Sequence, residues 1–237
     1  MFYASCRALT HGILRLVFRL EAAGVGYVPT EGPAILASNH LSLFDPAVVG
    51  APLARELHYM AKAELFRVPL FGGLIRALNA HPVDRSGSDA AALRLALRLL
   101  DDGQALLVFP EGTRGAEPHL GPAQAGTGML AALSGAPVVP VLLAGTGRVL
   151  PRGAVWPRPA RISVTYSRPL RFGKERGKAR YQAISDEIMA AIGRLRDDRR
   201  PVKVTSSAAA RVTQMMAQTD PGNLSPGRIH SNGGILG

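Results

Sequence analysis

"AILASNHLSLFDP", residues 34–46, runs from a short apolar segment into a histidine and, five residues after it, an Asp-Pro pair. Residues 34–37 lie between Gly32-Pro33 and Ser38-Asn39 and read as a short buried strand. His40 therefore falls where a strand gives way to a turn, a common place for reactive groups. Asp45 and Pro46 read as a helix start, with Asp as N-cap and Pro at the first helical position. One stretch thus defines a strand–turn–helix unit. Taken alone, Asp45 only caps and His40 only occupies a loop, so a chemical role for the pair needs support from the rest of the chain.

Outward from that stretch the elements alternate. Residues 45–56 read as a helix, 57–61 as a strand, and 62–78 as one or two apolar helices interrupted at Pro69 and Gly72-Gly73. Residues 79–83 form a short extended piece. Residues 88–103 make a helix with Ser88 as N-cap and Gly103 as stop, its Arg94 and Arg98 on a solvated face. A buried strand over 104–110 and a helix around 125–134 follow. The strand 136–145 carries Pro137 and Pro140, which suit a strand end or an edge. Residues 160–167 alternate like a half-exposed strand, and 178–196 form a last amphipathic helix. This order predicts an α/β fold, a mixed, largely parallel sheet flanked by helices. The domain is expected over 24–200, with residues 201–237, rich in small and polar residues without periodicity, as a mostly disordered tail.

Composition narrows the partners. The 237 residues carry 28 Lys and Arg against 17 Asp and Glu, a net charge of +11. Such a surface favours phosphate-bearing metabolites, acidic lipid headgroups or nucleic acid. Nucleic acid is disfavoured, because aromatics are only 5% and no zinc-finger spacing or aromatic RNP-like strand occurs. The single cysteine, Cys6, excludes an intrachain disulfide, and six scattered histidines suggest no metal site.

No apolar run reaches the roughly 18–20 residues that span a bilayer. Residues 1–23 place Arg7, His11, Arg15 and Arg19 at steps of four, with Phe2, Leu9, Ile13, Leu16, Val17 and Leu20 filling much of the rest. That is an amphipathic helix. Two readings stand: a helix lying in a membrane interface, or an ordinary first helix packed on its own domain. Arg15 and Arg19 interrupt the apolar centre a secretory signal needs. A second basic stretch, residues 168–180, holds six basic residues and one Glu. It reads as a solvated face, or as charge for an anionic lipid surface at about 1 kcal/mol per residue.

Three more stretches sit at or along strands: "HPVDRSG" (81–87), "FPEGTRG" (109–115) and "VVPVLLAG" (138–145). Loops leaving the carboxyl ends of strands line the ligand crevice of open α/β sheets, so His40, Asp45, Arg85, Glu111 and Arg114 are expected on one cleft. The ordered set "NHLSLFD", "PVDRSG", "FPEGTRG" and "VVPVLLAGT" resembles the four motif blocks of the glycerolipid acyltransferase family, best known for its 1-acyl-glycerol-3-phosphate acyltransferases. The resemblance covers roughly residues 25–170. It implies O-acyl transfer from acyl-CoA or an acyl carrier protein to a lipid hydroxyl, at the cytoplasmic face of the cell membrane, by a peripheral or monotopic enzyme. No metal or prosthetic group is implied.

The residue types suit that chemistry. An alcohol becomes a competent nucleophile as a base takes its proton, and imidazole, with an ordinary pKa near ~6.5, does this at neutral pH. Asp45, accepting the other ring N–H of His40, fixes the tautomer and stabilises the imidazolium, provided the turn folds it back beside the ring. An ideal straight helix would place the two on different faces. The thiolate leaving group needs little acid assistance. Ser42 makes a serine nucleophile conceivable, but nothing here resembles a G-x-S-x-G elbow.

Arg114, after Gly112-Thr113, and Arg85 suit the acceptor's phosphate, because a guanidinium holds two of its oxygens at once. By resemblance Asn39, Gly112 and Thr113 belong to the substrate site, and Glu111 contacts the glycerol hydroxyls or holds the arginine. Val138 and Pro140 shape the acyl side or simply fill a core strand. One departure concerns the acceptor. Family members often carry basic residues before the Gly that follows the third block, where this chain has Gln124 and Ala125. The expectation is acylation of lysophosphatidic acid to phosphatidic acid. Another lyso-lipid acceptor is the alternative, and a non-catalytic lipid-binding protein a remoter one.

Overall fold

The computed structural model describes residues 1–83, 89–151, 153–154, 156–174 and 176–198. Its strands are β1 (Glu21–Ala23), β2 (Ala34–Ser38), β3 (Leu57–Lys62), β4 (Ala80–Val83), β5 (Ala105–Val108), β6 (Val138–Ala144) and β7 (Ser163–Tyr166). Its helices are α1 (Phe2–Phe18), α2 (Asp45–Gly50), α3 (Phe71–Ala77), α4 (Asp89–Asp101), α5 (Ala125–Ser134), α6 (Thr146–Val149) and α7 (Lys178–Asp198). The strands form one sheet in the order β1-β7-β6-β2-β5-β3-β4. Every neighbouring pair is parallel except β6 with β7. The mixed, largely parallel α/β architecture read from the sequence is therefore the one observed.

β2 sits at the centre, between β6 and β5, and all five of its residues are buried. A parallel strand covered on both faces needs such an unbroken apolar run. One face packs Leu36, Val139, Val141 and Leu143 against α1 and α2 through Leu14, Phe18, Val48 and Val49. The other packs Ile35, Leu106, Val138 and Leu142 against α4, α5 and α7 through Leu100, Leu130, Ile184 and Ile188. Because β2, β3, β4, β5 and β6 run the same way, their carboxyl ends share one edge of the sheet.

Several local expectations change. The helix expected over 45–56 stops at Gly50, and the apolar segment 62–78 becomes a 3-10 turn, Ala63–Arg67, followed by α3. The N-terminal helix ends at Phe18, and Glu21–Ala23 join the sheet beside β7. Pro140 lies in a central strand rather than at an edge, and is buried. Its missing N–H does no harm there. It faces β7 where that ladder is interrupted, between the Val141–Tyr166 pairing and the Val138–Leu170 bridge, and Pro140 contributes only its carbonyl, to the N–H of Ser167. Arg94 and Arg98 are exposed on α4 as expected. The Ser88 cap, and the disordered tail expected over 201–237, lie outside the described residues.

Candidate active site

At the carboxyl end of β2 the chain turns sharply, and the turn is built around one carboxylate. Asp45 is completely buried, at the first turn of α2, yet its side chain does not cap that helix. It folds back, and Oδ2 accepts the backbone N–H of Leu41 at 2.6 Å, that of Ser42 at 2.8 Å, and Nδ1–H of His40 at 2.8 Å. The N-cap expectation is thus corrected: Asp45 spends its acceptor on the preceding turn, where three donors converge. A carboxylate only accepts, so Nδ1 of His40 carries the proton and Nε2 is left with a free lone pair. The His40 side chain is 15% exposed. Phe109, at the end of β5, stacks on the ring with centroids 3.9 Å apart and planes inclined by 17°.

The backbone of His40 is held as firmly as its ring. Its N–H donates to Glu111 Oε1 at 3.0 Å, and its carbonyl accepts the N–H of Gly115 at 2.7 Å. Glu111, 6% exposed, uses its other oxygen to accept the N–H of Gly121 at 2.8 Å. A Cβ at Gly115 would lie 2.9 Å from that oxygen and one at Gly121 2.8 Å, so glycine at both positions lets the segment 111–121 wrap the carboxylate. Asn39 faces the other way. Its side-chain amide donates to Leu143 O at 3.0 Å and accepts Leu143 N–H at 2.7 Å, extending the β2–β6 pairing one residue beyond the ladder. Ser42 is fully buried, its hydroxyl donating to Leu150 O at 3.1 Å and accepting the Phe44 N–H. It is occupied as a structural group.

The structure therefore joins His40, Asp45 and Glu111 directly and places Gly112, Thr113 and Arg114 in the turn between Glu111 and the Gly115 contact. Gly112 adopts φ +67°, the left-handed conformation that favours glycine. Thr113 is exposed, and Arg114 is half-buried with no hydrogen bond or ion pair to a described residue. Val138 and Pro140 are buried and belong to the core of β6. Arg85 lies outside the described residues. Gln124, the departure in the sequence, does neighbour this turn: its N–H bonds Pro110 O, and its Cγ lies 3.3 Å from where a Cβ on Gly112 would be. Sequence reasoning missed Phe109, Gly115 and Gly121; the glycines were visible as two further residues of that type shortly after Glu111, but nothing in the spacing tied them to its carboxylate.

Beside the site is a cleft of about 380 Å³, lined by both chain neighbours of His40, Asn39 and Leu41, and by His119, Arg148 and Arg196. Glu117, also on its wall, accepts the Gly145 N–H at 2.7 Å and approaches Arg148 at 3.9 Å.

Comparison with known proteins identifies the family. Residues 19–144 match the family model described as Acyltransferase. The chain is 30% identical over 140 residues to the chloroplastic 1-acyl-sn-glycerol-3-phosphate acyltransferase BAT2 of Brassica napus, covering 58% of this chain and 40% of that protein. It is 29% identical over 144 residues to the 1-acyl-sn-glycerol-3-phosphate acyltransferase of Bacillus subtilis (strain 168), covering 60% of this chain and 71% of that one. The chain thus spans about two fifths of the length of the plant relative. The crystal structure of the 1-acyl-sn-glycerophosphate acyltransferase PlsC from Thermotoga maritima superposes with a TM-score of 0.67 at 23% identity, over 81% of this chain and 79% of that one, which shows a shared fold. With more than half of its length matched by the family model, and the His40–Asp45 turn inside that match, the chain belongs to the acyltransferase family.

Proposed function

We propose that the protein transfers an acyl group from an acyl thioester, acyl-CoA or an acyl carrier protein, to the sn-2 hydroxyl of 1-acyl-glycerol-3-phosphate, giving phosphatidic acid for phospholipid synthesis. The observation that carries the reading is the 2.8 Å contact from His40 Nδ1 to a buried carboxylate. It leaves Nε2 as the base. Nε2 takes the hydroxyl proton as the alcohol oxygen attacks the thioester carbonyl; the C–O bond forms, the C–S bond breaks, and the departing thiolate receives the proton back. Asp45 holds the ring in one tautomer and offsets the positive charge that develops, and the Phe109 face beside the ring favours that charge too. Both substrates meet in one site, so no acyl-enzyme is required.

Arg114, without a partner among the described residues, is assigned to the acceptor's phosphate, together with Arg85; Gly112 and Thr113 shape the turn that presents it. Glu111 and Asn39, whose polar atoms are taken by backbone groups, act as positioning residues. Gln124 favours a second reading. An uncharged side chain beside the Gly112 turn holds a phosphomonoester less firmly than a basic one, which suits a lyso-lipid acceptor with a different headgroup.

The protein works at the cytoplasmic face of the cell membrane as a peripheral or monotopic enzyme. No helix among the described residues is long and apolar enough to cross a membrane. α1 instead buries Leu14 and Phe18 against the domain while leaving Phe2, Leu9, Ile13, Leu16 and Val17 exposed, a stripe suited to the headgroup boundary. The buried face fits the reading of a helix packed on its own domain, and the exposed stripe supports the interfacial one.

Incubating purified protein with labelled acyl-CoA and a panel of lyso-lipids, with product identification, tests the proposal. Labelled phosphatidic acid from lysophosphatidic acid is expected. Arg114→Ala should raise KM for that acceptor far more than for one lacking phosphate. Absence of any acylated product with both donor classes would overturn the reading, and product only from other lyso-lipids would select the second.

A further inference from the structure

Outside α1, and apart from Tyr27 in the turn after β1, most exposed large apolar side chains of the described residues lie in connections at one edge of the sheet. Leu43 lies in the His40–Asp45 turn and is 56% exposed. Val68, Leu70, Phe71 and Leu74 follow the carboxyl end of β3, in the segment linking the 3-10 turn to α3, and are 47%, 93%, 44% and 43% exposed. Trp156, 81% exposed, lies between α6 and the start of β7, and β7 runs opposite to its neighbour β6. Leu43, Val68, Leu70 and Trp156 lie in connections at the edge that carries His40, and Phe71 and Leu74 are in the first turn of the helix that returns from it. The carboxyl end of α1 meets the same edge, where Phe18 packs edge-on against Phe44 at 6.0 Å and its carbonyl accepts the Ile162 N–H.

The segment 68–74 is held in place rather than left loose. Leu70 has φ +62°, a conformation a bulky L residue rarely adopts, and projects away from the domain. The Phe71 N–H bonds Pro69 O at 2.6 Å and the Gly72 N–H bonds Val68 O at 2.8 Å. A Cβ on Gly72 would lie 2.3 Å from Phe66 O, so only glycine lets α3 start so close to the preceding turn. α3 buries Gly72 and Ile75 and leaves Leu70, Phe71 and Leu74 outside. Exposed Arg67 and Arg76 flank this patch, Arg76 reaching over the Phe66 ring at 5.4 Å.

We infer that the active-site edge is itself a lipid-binding surface, in which the segment 68–74 enters the headgroup boundary of an anionic leaflet as a contact separate from α1. Apolar tips framed by arginines match that boundary, apolar below and anionic above. A second copy of the chain fits less well, since Arg67 and Arg76 would face their own equivalents across a two-fold interface. The inference rests on the proposed acylation of a membrane lipid, whose acceptor would then reach His40 without leaving the leaflet.

The full chain is floated with vesicles of phosphatidylcholine and phosphatidylglycerol while the emission of Trp156, the only tryptophan, is followed. Wild type should bind, with Trp156 emission shifting blue and quenched by brominated acyl chains. Leu70→Glu/Leu74→Glu should lower vesicle affinity about 10- to 100-fold. Its turnover of a water-soluble short-chain lysophosphatidic acid should be unchanged, which also shows that it folds. Vesicle affinity equal to wild type, or unshifted Trp156 emission on bound vesicles, overturns the inference. A wild-type dimer that the double variant splits without loss of lipid affinity overturns it in favour of a second copy. Leu9→Glu/Leu16→Glu reads the α1 contact separately: binding lost there alone leaves the membrane assignment standing and removes only this second contact. Loss of turnover on short-chain substrate by wild type would instead count against acyl transfer.

Discussion

His40 meets the carboxylate of Asp45 at 2.8 Å, and His58 meets a second imidazole, that of His81, at 3.0 Å. The two contacts are of similar length and lie at opposite ends of the same sheet, the first beyond the carboxyl end of β2, the second near the starts of β3 and β4. Their electrostatics differ. When His40 gains a proton its partner is an anion, so the contact strengthens and the ring stays in place. When His58 or His81 gains one, the N–H···N bond tolerates no second proton without setting two cations side by side. Burial lowers the pKa of both rings, and His81 lowers that of His58 further, with Glu56 and Gln104 partly opposing. On the proposed mechanism one pair carries a proton through the reaction cycle; the other is weakened when it takes up protons.

Three substitutions sharpen the contrast. His40→Ala removes the base and should slow transfer by roughly 10³-fold or more, with the fold retained, read from product formation under saturating substrates and from circular dichroism. Glu111→Gln comes next. It replaces one acceptor by a donor facing a backbone N–H, so it should cost about 1–3 kcal/mol of stability. By letting the His40 backbone drift it should also lower kcat by up to about 10²-fold with little change in KM. Denaturant unfolding and steady-state kinetics on the same preparation check both. The smallest effect belongs to the far pair. A histidine whose folded pKa lies below its unfolded value contributes fully above the unfolded value, near ~6.5, and loses that contribution as the pH falls below it. Wild type should therefore melt at lower temperature at pH 5 than at pH 7.5. His81→Gln should narrow that difference and leave turnover at pH 7.5 untouched; a variant as acid-sensitive as wild type would detach the effect from this pair.

The sheet was legible because its central strands are continuous apolar runs, and β2, β5 and β6 were each readable from a handful of residues. Three residues of "EAA" in β1 carry no such signal, and an exposed edge strand needs none. Pro140 misled because proline in a strand usually marks an edge; the interruption of the β6–β7 ladder that accommodates it depends on partners distant in sequence. At the site, the contact of His40 with Asp45 was readable from the residue types. The tasks of Glu111 and Asn39 were not, because both spend their polar atoms on backbone groups 71 and 104 residues away. Spacing along the chain shows which groups are available, and the fold decides which of them a substrate can reach.

The central claim is that His40 and Asp45 act as one unit, and the sharpest test is Asp45→Asn measured in two backgrounds by acyl transfer to lysophosphatidic acid. In the wild type it should slow the reaction by roughly 10³-fold, and in His40→Ala it should add nothing to the loss already present. Equal slowing in both backgrounds, or near wild-type transfer by His40→Ala, would contradict the account.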